Sequence, residues 1–101
     1  MIIVDKNVGP KIEYEVNGTK IIFDDDLQLN LAKRQDDEPV HICICRDKSR
    51  ALVIGEIDAW AYVAEIDIPA REYTEPEDEE ESPEPLPLDM DKVTLTLWAI
   101  V

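Results

Sequence analysis

The clearest pattern in the chain lies in Ile57–Tyr73, where side chains alternate from Trp60 onward between an apolar side and a side that is apolar at Ala61 and Val63 and then acidic, as in a strand buried on both faces at its start. A period of two is typical of a β-strand, because successive strand side chains point to opposite faces. We predict a strand around which the others are arranged, with Glu65 and Asp67 emerging into solvent before Pro69. The side predicted to lie on the core consists of Trp60, Tyr62, Ala64, Ile66 and Ile68.

Two alternating segments flank the dipeptide Asn17-Gly18 and predict a β-hairpin. They are Lys11–Val16 and Thr19–Phe23. Asn-Gly is typical of a two-residue turn in which both central residues have positive φ. This turn predicts that Tyr14 faces Ile21 across the hairpin.

Several more short segments have strand patterns. Leu27–Gln35 alternates like a half-buried strand, with a short helix as the alternative. Together the segments predict an all-β fold in one domain, residues 1–101: an antiparallel β-sandwich or a partly open barrel with Greek-key or jelly-roll-like connections. The further predicted strands are residues 2–4, Leu27–Gln35, Val40–Cys45, Ala51–Ile54 and Lys92–Val101.

One segment, Glu72–Asp91, differs in kind from the rest of the chain. It holds ten acidic residues and no Lys or Arg, together with four prolines. The whole chain has 24 acidic and 10 basic residues, a net charge of −14, so the remainder carries only −4. Charge repulsion and proline both oppose regular structure, which predicts a long, extended or disordered acidic loop within the domain.

The acidic balance also limits the partners that the protein can bind. Such a surface repels nucleic-acid phosphates and anionic membranes, and it favours a basic protein surface. No apolar run approaches the length of about 18 residues that a membrane-spanning helix needs. No basic region precedes the first apolar run, so a signal peptide is not expected. With Cys43 and Cys45 as its two cysteines, the economical interpretation is a cytosolic protein with reduced thiols.

The motif H-x-C-x-C, formed by His41, Cys43 and Cys45, is the best candidate for chemistry. On an extended strand, however, His41 and Cys45 lie about 13 Å apart, too far for one zinc to bind all three residues. A Cys–His catalytic pair is not expected either, because thiols on an apolar strand tend to be inert. We therefore predict a non-enzymatic protein without a catalytic residue, metal or cofactor.

The acidic loop supplies the predicted partner-binding residues. Tyr73 stands beside the loop and is the best candidate for an exposed aromatic anchor. Calcium binding by Asp24–Asp26 or Glu77–Glu81 is not expected, because neither run has the spacing of an EF-hand loop. The predicted contact residues are Tyr73, Glu75, Glu77, Asp78, Glu79, Glu80 and Glu81.

Three segments resemble small uncharacterised proteins encoded in prophages of Gram-positive gut bacteria. They are V-N-G-T at 16–19, Y-V-A-E-I-D-I-P-A-R-E-Y at 62–73 and P-L-D-M-D-K-V-T-L-T-L-W-A at 87–99. The resemblance implies a phage product in the bacterial cytoplasm or in a virion, and it brings no known activity, fold or catalytic residue.

These observations lead to two hypotheses of function, and an enzyme comes third, favoured only if His41 lies in a solvent-accessible cleft with a carboxylate partner. The first is an acidic protein-interaction module that inhibits a basic host protein by mimicking the charge of nucleic acid. The second is a small virion or tail accessory protein that assembles, also with copies of itself, through the edges of its β-sheets.

Overall fold

A computed structural model of the chain describes residues 1–56, 59–78 and 80–100. These residues form eight β-strands in two sheets with almost no helix, so the all-β prediction is confirmed. The strands are β1 Ile2–Asp5, β2 Tyr14–Asn17, β3 Lys20–Phe23, β4 Leu27–Asn30, β5 Val40–Asp47, β6 Leu52–Ile54, β7 Ala59–Ile68 and β8 Thr94–Leu97, with one helical turn, α1, at Leu31–Arg34.

The larger sheet has five strands in the order β1-β8-β7-β5-β6, with β7 at its centre. The prediction that other strands are arranged around this strand is confirmed, and β7 ends at Ile68, directly before Pro69. Strands β1 and β8 pair in parallel, in contrast to the antiparallel pairing of their neighbours. Because β7 and β8 are adjacent, the acidic segment connects neighbouring strands rather than crossing the sheet.

Two irregularities in the pairing of β5 with β7 change which side chains face the core. Ile44 pairs with Ala64 while Cys45 pairs with Tyr62, so one residue of β7 is left unpaired between them. Such a β-bulge reverses the alternation of faces along the strand. Trp60 and Tyr62 are therefore 48% and 37% exposed, and the prediction that they lie on the core is wrong.

The smaller sheet contains β2, β3 and β4 in chain order. Gly18 has positive φ, at 62°, but Asn17 belongs to β2 and pairs with Lys20. The turn therefore lies one residue later than predicted, and Tyr14 pairs with Phe23 rather than with Ile21. The observed partner of Tyr14 is two residues further along β3 than the predicted one. Residues two apart on a strand lie on the same face, so Phe23 is still buried.

The predicted strand at Leu27–Gln35 is divided between two elements. Strand β4 ends at Asn30, and α1 completes the segment, so both alternatives are partly realised. The final strand is shorter than predicted at both ends: it begins at Thr94, after a 3₁₀ turn at Met90–Lys92, and it ends at Leu97. The predictions for Ile57, Asp58 and Val101 fall outside the described residues. In the described part of the chain, no helix is long and apolar enough to cross a membrane.

Both sheets contribute to one hydrophobic core. The smaller sheet and α1 supply four side chains that are almost fully buried: Ile21, Phe23, Leu29 and Leu31. The larger sheet supplies Ile44, Val63, Ala64, Ile66, Ile68 and Leu95, among others. Burying one large aliphatic or aromatic side chain contributes about 1.5–3 kcal/mol, so this shared core is the main stabilising element.

Candidate functional site

The acidic segment after β7 folds back on itself as a loose hairpin. The Thr74 N–H group donates to the Glu84 carbonyl oxygen at 2.8 Å. Tyr73 and Pro85 form an antiparallel bridge beside this bond. Residues 72–86, called the acidic hairpin below, are therefore paired at their base.

Side chains tie the base of the acidic hairpin to the loop that precedes β5. Arg71 donates to the carbonyl oxygen of Gln35 at 2.7 Å and lies 3.3 Å from the Asp37 carboxylate. The Tyr73 hydroxyl donates to the same carboxylate. Tyr73, the predicted anchor for a partner, thus holds its own hairpin in place, while its side chain stays 41% exposed.

The tip of the acidic hairpin displays carboxylates to solvent. The Asp78 side chain accepts a hydrogen bond from the Glu80 N–H group at 3.1 Å, which orders the turn. A groove of about 560 Å³ lies between the two arms and is lined by Glu75, Glu77, Glu81 and Glu84, together with Thr74, Pro76 and Ser82. Of the predicted contact residues, Glu75, Glu77, Asp78, Glu80 and Glu81 are exposed, and Glu79 lies outside the described residues.

A second group of candidate side chains lies on the face of the larger sheet that points away from the core. In the register of β5 with β7, His41 is opposite Asp67 and Cys43 is opposite Glu65. The core residues Ile42, Ile44 and Ile66 alternate with these four and point to the other side. We call His41, Cys43, Glu65 and Asp67 the outer-face cluster.

His41 is the centre of the outer-face cluster. Its Nδ1 lies 2.6 Å from an oxygen of Asp67, and its Nε2 lies 3.3 Å from Oε1 of Glu65. The hydrogen bond with Asp67, followed by the charges of both carboxylates, raises the pKa of His41 above its ordinary value, although partial burial opposes this. The contacts with Asp67 and Glu65 hold the imidazole ring in a fixed orientation.

Cys43 contacts the same imidazole from the neighbouring position on β5. Its Sγ lies 3.5 Å from Nε2 of His41 and 3.4 Å from Oε1 of Glu56, beyond the end of β6. Burial, the hydrogen bond to Glu56 and nearby negative charge raise the pKa of the Cys43 thiol to about 11. The thiol is therefore protonated at neutral pH in the metal-free protein.

An aromatic pair supports Glu65 from the side of β8. The indole N–H group of Trp98 donates to Oε2 of Glu65 at 2.9 Å, which leaves Oε1 directed towards His41. The ring of Trp98 stacks on Tyr62 with 5.1 Å between centroids. The bulge that turns Tyr62 away from the core is thus what completes this support.

The structure divides the H-x-C-x-C motif in a way that the sequence does not show. Cys45 is fully buried and takes no part in the cluster, whereas Cys43 is half-buried and faces outwards. The sequence alone does not identify Glu65 and Asp67 as partners of His41. The signal that identifies them is two acidic residues spaced by two on an apolar strand, but it requires the register of β5 with β7.

The order Cys43, His41, Asp67 resembles the nucleophile, base and orienting group of covalent catalysis. The electrostatics oppose that chemistry. A reactive cysteine needs a lowered thiol pKa and an electropositive environment, whereas Cys43 has a raised pKa and lies beside Glu56 and Glu65. Burial and the negative charge around Cys43 therefore disfavour a thiolate nucleophile at this position.

Comparisons with protein-family models, with curated proteins and with solved structures find no match for this chain.

Proposed function

We propose that the protein is a non-enzymatic interaction module that presents its acidic hairpin to the basic surface of a partner protein. The observation that supports this most directly is the groove between the hairpin arms, which is lined by four glutamates. A space of this size accommodates Lys or Arg side chains, and the surrounding carboxylates favour them electrostatically.

The position of the hairpin supports the same function. Its base is fixed by Arg71, Tyr73 and Asp37, while its tip consists of exposed acidic residues. At the base, Lys92 forms an ion pair with Glu72 at 2.8 Å. Charge is therefore concentrated at the tip and partly compensated where the hairpin meets the domain.

Within this function we propose a charge mimic of nucleic acid that occupies the basic surface of a host DNA-binding or defence protein. The resemblance to prophage proteins supports a bacterial host, with the protein in the cytoplasm or in a virion. The architecture that we propose for the module is a sandwich or a partly open barrel, supported by the single core that both sheets enclose.

The test is binding to a partner that is recovered from the native host and then purified. One variant neutralises the tip by the changes Glu75→Gln, Glu77→Gln, Asp78→Asn, Glu80→Gln and Glu81→Gln. A matched control neutralises five exposed carboxylates elsewhere by the changes Asp5→Asn, Glu13→Gln, Glu15→Gln, Asp25→Asn and Asp26→Asn. We expect the tip variant to lose binding and the control to keep most of it.

Two further measurements distinguish the forms of this proposal. Wild-type affinity should fall steeply between low and high salt, because exposed charges are screened. Double-stranded DNA should compete with the protein for the partner if the mimic hypothesis is correct. Equal binding by the tip variant and the control would contradict the acidic interaction module altogether.

The second candidate function, a virion or tail accessory protein, is favoured by β1. This strand is an edge of the larger sheet, and its side chains Ile2, Ile3 and Val4 are 52%, 44% and 41% exposed. An exposed apolar edge strand presents unpaired backbone groups to a strand of another chain. Assembly through this edge is therefore the competing proposal.

A further inference from the structure

We propose that His41, Cys43 and Glu65 form a binding site for a divalent transition metal, with zinc as the best match. One possible ligand atom from each residue lies within 4.8 Å of the other two. The three donors come from two neighbouring strands, so the site depends on the pairing of β5 with β7. The proposal is independent of the acidic hairpin.

The distances fit a tetrahedral metal. Bonds of about 2.0–2.3 Å at tetrahedral angles place neighbouring donor atoms roughly 3.3–3.8 Å apart. In the outer-face cluster, Nε2 of His41 lies 3.5 Å from Sγ of Cys43 and 3.3 Å from Oε1 of Glu65. Both distances from Nε2 therefore match those around an ion, and the donor atoms of Cys43 and Glu65 lie within 4.8 Å of each other.

Each of two ligands is also held by a partner on its far side. Asp67 accepts from Nδ1 of His41 at 2.6 Å, so Nε2 is the nitrogen left to bind a metal. Trp98 donates to Oε2 of Glu65 at 2.9 Å, so Oε1 is the free oxygen. Partners of this kind, a carboxylate on a histidine above all, orient the ligands in known metal sites.

The donor set selects the kind of metal. Calcium and magnesium prefer oxygen ligands alone, whereas zinc accepts imidazole nitrogen, thiolate and carboxylate in one site. Glu56 supplies a further carboxylate beside the site, with Oε1 at 3.4 Å from Sγ of Cys43 and an exposed side chain.

All three ligands lie outside the hydrophobic core. We therefore expect the protein to stay folded in a strong chelator, and zinc to raise the thermal unfolding midpoint by binding the native state.

Cobalt(II) tests the site, because a cysteine thiolate bound to cobalt gives a charge-transfer absorption that carboxylates do not. Tag-free, full-length protein is titrated with Co²⁺ and then with Zn²⁺. We expect a band that saturates at one equivalent of cobalt and disappears when zinc replaces it. Cys43→Ser should abolish this band, whereas Cys45→Ala, which removes the buried thiol two residues away, should retain it.

Two more variants address His41 and Asp67, the residue that orients it. His41→Ala keeps both thiols, affects a side chain that is half exposed, and should weaken cobalt binding at least 100-fold. Asp67→Asn should retain the band while weakening affinity by about 10–100-fold, as expected of a residue that orients a ligand. Circular dichroism establishes that each variant is folded.

The competing interpretation is a protonated imidazole that bridges Glu65 and Asp67 without a metal. It predicts no charge-transfer band at excess cobalt. Any of three results would overturn the proposed metal site. They are the absence of the band at excess cobalt, a band that survives Cys43→Ser in a folded protein, and an unchanged cobalt affinity in His41→Ala.

Discussion

At the scale of single residues, Gly18 decides the geometry of the β2–β3 hairpin. Its φ is 62°, and a Cβ atom placed on it meets nothing within 4 Å. The cost of a side chain there is therefore conformational rather than steric crowding by neighbours. Asn17, by contrast, pairs with Lys20 inside the ladder and is exposed.

We predict that Gly18→Val lowers the free energy of unfolding by an amount on the order of 1–3 kcal/mol, because a β-branched residue is strained at positive φ. Asn17→Ala is the matched control and should change it by less than about 0.5 kcal/mol. Urea unfolding measures both. A large loss in Asn17→Ala would instead support the turn predicted from the sequence, with positive φ at both residues.

Asp47 provides a prediction about pH, because it organises the turn between β5 and β6. Its carboxylate accepts hydrogen bonds from the hydroxyl and N–H groups of Ser49 and from the N–H group of Ala51. The hydrogen bond from the Ser49 hydroxyl is the largest of the effects that lower the pKa of Asp47. A lowered pKa stabilises the fold above the unfolded-state pKa of about 3.9, and this contribution is lost as the pH falls.

We therefore expect Asp47→Asn to lower the thermal midpoint at pH 7, with a difference from wild type that shrinks as the pH falls below about 4. Ser49→Ala should reproduce part of the effect at neutral pH. Thermal melts across this range measure it. A difference from wild type that stays constant down to pH 2 would show that the Asp47 charge does not stabilise the turn.

At the scale of elements, alternation located most of the strands but could not place them against each other. Three side chains at the final strand are buried, as their spacing of two residues predicts. They are Val93, directly before β8, and Leu95 and Leu97 within it. The bulges in β7 were not predictable, because a bulge depends on how two strands pair and leaves no periodic signal in either one. The same limitation concealed the outer-face cluster, since its partners meet only through the register of β5 with β7.

Strand β1 carries the prediction that separates the two candidate functions. The accessory-protein hypothesis requires self-association through this edge, driven by its exposed apolar side chains. It predicts that Val4→Lys weakens association at least tenfold, while Val8→Lys, at a fully exposed position outside the strands, has no effect. Sedimentation at several concentrations measures this, and a wild-type protein that stays monomeric throughout would contradict edge assembly.

At the scale of the whole molecule, core and charge occupy different parts of the chain. The radius of gyration is 16.0 Å, larger than the ~13 Å expected for a compact chain of about 100 residues. Among the residues that the structure describes, none of the buried core lies within the acidic hairpin. Its composition predicted an extended acidic segment, whereas the pairing at its base depends on contacts of Arg71 and Tyr73 with the distant Asp37.

We predict that replacing Glu75–Glu84 with a short Gly/Ser linker leaves the domain folded, because the core and the Tyr73–Pro85 bridge lie outside the replaced residues. Shortening a surface loop changes closure entropy little, by about 0.6 kcal/mol for each twofold change in length. Removing clustered carboxylates also relieves repulsion, so the unfolding midpoint at low salt should stay the same or rise.

Comparison with the tip variant, which keeps the hairpin and loses its charges, separates the roles of charge and chain. Both variants should lose binding to a basic partner, and the stabilisation at low salt should appear in both and vanish at high salt. If the linker variant fails to fold while the tip variant folds, the hairpin is packed structure that the domain requires. If the linker variant folds and binds the partner as tightly as wild type at every salt concentration, the acidic hairpin is not the interaction surface, and the exposed edge of β1 becomes the better candidate.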